Sequence, residues 1–102
     1  MPKHDGIAVD ERHLQTLRNI VSEHLPGIRV LVFGSRVTGK GLKCHSDIDL
    51  LIDSKNPLSL RQRRRLIDAL EDSSLPVHVD VVERADADEG FFEAVRRDAV
   101  PL

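Results

Sequence analysis

The sequence contains no tryptophan and no tyrosine, and its only aromatic residues are three phenylalanines. Its core must therefore be built from leucine, valine and isoleucine. A single cysteine, Cys44, excludes an internal disulfide and favours a reducing compartment. No apolar run approaches the roughly 20 residues of a membrane span. The opening Met-Pro-Lys-His-Asp-Gly has no apolar stretch of the kind a signal peptide carries. A cytoplasmic protein with no membrane partner is expected. Charge is nearly balanced, at a net −2, so no general attraction to nucleic acid is indicated. Internal repeats and low-complexity segments are also missing.

What remains is ordinary for a small globular domain: 102 residues, 40% apolar and 31% charged. Residues 1–9 read as a flexible leader and 10–102 as a single domain. Asp10 can cap a helix from Glu11 to about Leu25, with Leu14, Leu17, Val21 and Leu25 on one face. Pro26-Gly27 ends it. Ile28 to Phe33 predicts a strand that is apolar on both sides apart from Arg29, and so a central one.

Three glycines and several small or basic residues follow, predicting a turn with a short helix starting at Ser35. Asp47 to Asp53 predicts a second strand. Asn56-Pro57 opens a helix from about Leu58 to Asp72 with Leu60, Ile67 and Leu70 inward. Val77 to Val82 predicts a third strand. Asp86 to Asp88 can cap a last helix through Phe91, Phe92 and Val95. This order indicates an α/β domain of two or three layers, with a small mixed three-stranded sheet flanked by helices.

Alternate residues of a strand share a face. Asp47 and Asp49 therefore point together, and in the third strand Asp80 lies opposite the Val77, Val79, Val81 face. If that strand pairs beside the second with its apolar face in register, Asp80 joins them. Asp is unfavourable in strands, and three converging carboxylates repel unless cations lie between them. Hard divalent ions with oxygen ligands, Mg²⁺ above all, suit such a site. Gly34 lets the chain turn sharply and approach a ligand. Ser35 can cap the short helix and donate its hydroxyl to a phosphate, and Arg36, Lys40 and Lys43 can neutralise phosphate charge.

G-S-R-x-x-G, then S-D-I-D-L, then H-V-D-V-V resembles the nucleotidyltransferase superfamily that includes DNA polymerase β, and most closely its minimal nucleotidyltransferase (MNT) members. The spacer between Ser35 and Asp47 is a residue longer than the commonest family form. The resemblance implies that Gly34 and Ser35 hold the triphosphate, with Arg36 contacting phosphate. It implies that Asp47 and Asp49 ligate two Mg²⁺ ions, and that Asp80 is the third acid, ligating one metal and helping to deprotonate the acceptor. It implies AMP transfer from ATP. Proteins of this kind typically act as antitoxins of a partner HEPN ribonuclease toxin, modifying a tyrosine on it. A hetero-oligomer with such a HEPN-domain partner is therefore expected. Only about twenty residues follow Asp80, so the acceptor is expected from the partner.

Weaker signals remain. Arg61 to Arg65 forms a basic cluster that reads first as a solvated helix face and second as a docking surface. His45 and His78 lie near the predicted site, and Cys44 has no paired base of the kind a nucleophile needs.

Overall fold

A computed structural model of the chain describes residues 3–102. Its elements are α1 (Glu11–His24), β1 (Val30–Phe33), α2 (Ser35–Thr38), β2 (Ile48–Ile52), α3 (Leu60–Glu71), β3 (Val79–Glu83), a 3-10 turn (Arg84–Asp86), α4 (Glu89–Arg96) and β4 (Val100–Pro101). The sheet order is β3-β2-β1-β4, four strands where the sequence predicts three. β1 runs antiparallel to both β2 and β4, and β2 runs parallel to β3. The added strand is two residues long and includes Pro101. A proline lacks the N–H that a ladder uses, so it is confined to an edge such as this one.

Three helices start where a side-chain oxygen takes up a free backbone N–H. Asp10 accepts from Arg12 N at 2.9 Å, and Asp88 from Phe91 N at 2.7 Å. The third cap is Ser59, accepting from Gln62 N at 3.1 Å, so α3 begins two residues later than Asn56-Pro57 suggests.

The expected inner face of α3 needs correcting. Leu66 and Leu70 are its buried residues, whereas Leu60 is 88% exposed. Leu60 is the first residue of the helix and precedes the turn that packs. Glu83, at the end of β3, fixes this helix entry by accepting from Leu58 N at 2.7 Å and from Arg63 at 2.9 Å.

The two sheet faces are unequal. Val30, Val32, Ile48, Leu50, Ile52, Val79 and Val81 meet Leu14, Leu17 and Val21 of α1 and Leu66 and Leu70 of α3 in the main core. On the other face Leu31 and Leu51 are covered by Phe92 of α4, with Phe33, Val82, Val95 and Ala99 around them. That second cluster closes only part of its face. None of the described helices is long and apolar enough to cross a membrane.

Of the expected leader, residues 7–9 are packed into the fold, while Met1 and Pro2 lie outside the described residues. Ile7, Ala8 and Val9 are buried. His4 and Ile7 exchange backbone hydrogen bonds, and Ala8 N donates to Arg36 O at 2.7 Å. An apolar triplet with no periodicity is thus drawn into the fold by a tertiary contact.

Candidate active site

The parallel pairing of β2 and β3 sets Asp49 directly beside Asp80. In the antiparallel pairing on the other side, Asp49 lies opposite Phe33. One row across the sheet therefore reads Phe33, Asp49, Asp80, all on the partly covered face. Asp47 immediately precedes β2 on that same side. The next row, Leu31, Leu51 and Val82, carries α4. The acids thus lie at the open end of a face whose centre is closed by an apolar lid.

Asp47 and Asp80 are exposed, and Asp49 is half-buried. Burial holds the Asp49 carboxyl above its ordinary value, and the neighbouring charges of Asp80 and Asp47 raise it further, with His78 acting weakly the other way. The two acids that strand alternation pairs with Asp49 are therefore its electrostatic neighbours in the folded chain. A raised folded value means that the charge on Asp49 costs stability at neutral pH. The cost disappears as pH falls through the folded value toward the ordinary one. Asp49→Asn is accordingly expected to melt no lower than the unsubstituted chain at pH 7. Its advantage should shrink as the pH is lowered, in thermal melts across the acid range. A lower melting temperature for the variant at pH 7 would contradict this.

Gly34 supplies the other half of the site. Its backbone has φ +78°, and a Cβ built there would lie 2.3 Å from Asp49 Oδ2. The turn thus presses its main chain against the carboxylate, in a conformation and a space open only to glycine. Gly34, and not Ser35, is the N-cap of α2. That leaves the Ser35 hydroxyl without a hydrogen bond among the described residues. Gly34→Ala is expected to cost about 1–2 kcal/mol for the left-handed backbone and to push Asp49 aside, lowering transfer at least ~10-fold. Gly39→Ala, also at φ +78° but with open space around it, should lose stability alone. Melting curves and initial rates measured on both variants separate the two effects.

Arg36 stands differently from the sequence expectation. It is only 4% exposed. Its Nε and Nη2 donate to Ser46 O at 3.2 and 2.8 Å, Nη2 also to Cys44 O at 3.3 Å, and Nη1 to Ala8 O at 2.9 Å. The guanidinium holds the loop that leads into Asp47 through these carbonyls. Lys40, Lys43, Cys44 and His45 are exposed on that loop.

The donor set fits a hard cation by its chemistry: three carboxylates, no soft ligand, and mutual repulsion that a cation would relieve. As the side chains stand, no group of three or more acidic, histidine or cysteine residues among the described residues is placed to hold a metal ion. Side-chain rotation of the exposed Asp47 and Asp80 would be needed to gather ligands.

Residues 14–101 match the family described as Nucleotidyltransferase domain. The chain belongs to that family. This nucleotidyltransferase is also 38% identical, over 89 residues, to the probable protein adenylyltransferase MntA of Haemophilus influenzae, a match covering 87% of this chain and 77% of the relative. Its fold is similar to that in a crystal structure of a mutant toxin–antitoxin complex, MntA–HpeT. There the TM-score is 0.65 at 23% identity, over 92% of this chain and 72% of that one.

Proposed function

We propose that this nucleotidyltransferase moves AMP from ATP to a hydroxyl on a partner toxin and so acts as its antitoxin. The observation that carries the proposal is the row Asp49–Asp80 on an open sheet face, with Asp47 beside it and the Gly34 turn pressed against Asp49. A relative named for protein adenylylation and a fold shared with a toxin–antitoxin complex support the choice of acceptor.

In this reading Gly34 and Ser35 receive the triphosphate, with main-chain groups and the unoccupied Ser35 hydroxyl as donors. Asp47, Asp49 and Asp80 hold two Mg²⁺ ions, which when bound would neutralise triphosphate charge and favour the ionised acceptor oxygen. The acceptor oxygen forms a bond to the α-phosphorus, the bond from that phosphorus to the β-phosphate oxygen breaks, and pyrophosphate leaves. Asp80 takes the acceptor proton. The partner is a HEPN ribonuclease and the acceptor one of its tyrosines. The 102 residues contain no tyrosine, so none of them can serve as a tyrosine acceptor.

The test is to incubate the toxin with this protein, ATP and Mg²⁺, separate the two under denaturing conditions, refold the toxin and assay it. Lasting inactivation that depends on ATP is expected. Full recovery of the toxin, with or without ATP, would mean that neutralisation works by occlusion and would overturn the catalytic reading.

A further inference from the structure

Two of the three phenylalanines meet, one of them opposite Asp49 in the sheet and the other left open. Phe33, opposite Asp49 in the sheet, meets Phe91 edge to face, with ring centres 6.2 Å apart and planes at 86°. The third, Phe92, is buried beneath the Arg84 guanidinium, which lies 4.0 Å from its ring centre. Phe91 has no such cover. It is 39% exposed and, with Leu60, one of two exposed large apolar side chains among the described residues. Its backbone is held at the start of α4, where its N–H is the one that Asp88 accepts, and its ring rests edge-on against Phe33. With Val82 and Asp88 it borders an open cavity of about 390 Å³.

An exposed phenyl ring gains free energy when a flat apolar surface covers it. We propose that Phe91, backed by Phe33, is the stacking platform for the nucleobase of the donor nucleotide. The proposal rests on the nucleotidyl-transfer reading above. Phosphate and base must go to different surroundings on this face. The Gly34–Ser35 turn takes the phosphate end. The cavity beside Phe91 is bordered by one cation, Arg63, which the buried Glu83 already engages at 2.9 Å. It is also bordered by the exposed carboxylates of Asp86 and Asp88, which disfavour phosphate and leave the uncharged ring as the part of the nucleotide suited to it. A phenyl face offers stacking without hydrogen bonds. The platform therefore contributes affinity while discriminating little between bases.

Calorimetric titration of the full chain with ATP and, separately, with inorganic triphosphate, both with Mg²⁺, tests this. Phe91→Ala is expected to weaken ATP binding roughly fivefold or more while leaving triphosphate binding unchanged, and Phe91→Trp to restore ATP binding. Unchanged ATP affinity in a folded Phe91→Ala variant would overturn the proposal. So would an equal loss for ATP and triphosphate, or a change confined to the KM of the acceptor. Because the readout is binding, the outcomes separate from those of the underlying reading. If the unsubstituted chain binds ATP but never transfers AMP, the transfer reading fails and the platform is still judged by its Kd. Absence of any ATP binding would overturn both.

Discussion

Asp49→Asn is expected to lower nucleotidyl transfer by about 10³-fold without unfolding the protein. Carboxylate-held cations supply several kcal/mol of transition-state charge stabilisation, and each 1.36 kcal/mol is a factor of ten in rate. Asn keeps the shape and one carbonyl oxygen but removes the charge that makes the carboxylate a ligand for a hard cation. Asp49 is the residue to change because it is the half-buried member, lying between the Gly34 main chain and the register partner Asp80. The exposed Asp47 and Asp80 have room to adapt, whereas Asp49 does not. Its charge is unfavourable in the folded chain, so the variant is expected to stay folded, and an activity loss with an unchanged melting temperature would then be an effect on the chemistry. Initial rates of label transfer at saturating ATP, with melting temperatures measured in parallel, check both halves. Activity within tenfold of the unsubstituted protein would remove Asp49 from the chemistry.

The largest loss of stability is expected at Arg36. Replacing it with Ala strips donors from the carbonyls of Ala8, Cys44 and Ser46 at once, and leaving a buried acceptor unpaired costs on the order of 1–3 kcal/mol. Water will satisfy part of the loop, so about 3 kcal/mol in total is a fair expectation, and a domain of this size then melts on the order of 10–20 °C lower. Lys is a poor replacement because one ammonium cannot reproduce the planar fork that reaches three carbonyls. Transfer should fall as well, because the loop that Arg36 holds leads directly into Asp47. A phosphate-contacting role makes a different forecast: weaker ATP binding with little change in melting temperature. Thermal melts of Arg36→Ala and Arg36→Lys distinguish the two.

Arg36 also shows why part of the site was not legible in the sequence. A basic residue just after a Gly-Ser turn reads as a phosphate ligand, and nothing local reveals that its side chain points back beneath the loop. Its partner Ala8 is 28 residues away, inside a segment whose short apolar run has no period. The same lack of a local signal hid β4, which is two residues long and carries a proline. Leu60 matches the helical spacing of the inner face of α3 but precedes the first packed turn and stays exposed, while Leu70 is buried as that spacing predicts.

The carboxylates were legible for the opposite reason. Strand alternation is a strict rule, and it put Asp47 with Asp49 and freed Asp80 from the apolar face before any pairing was known. The register Asp49↔Asp80 completed what alternation had prepared. The exposure of Phe91 was not readable, since Phe91 and Phe92 are adjacent and only the packing of α4 decides which one is buried.

The most direct test of the central claim, transfer of AMP from the open carboxylate face to a partner, is to supply ATP labelled at either the α- or the γ-phosphate together with the partner toxin. Label from the α-position is expected to appear covalently on the toxin and not on this chain, while label from the γ-position leaves with pyrophosphate. Retention of the γ-label on the toxin, or no covalent label from either position, would contradict it.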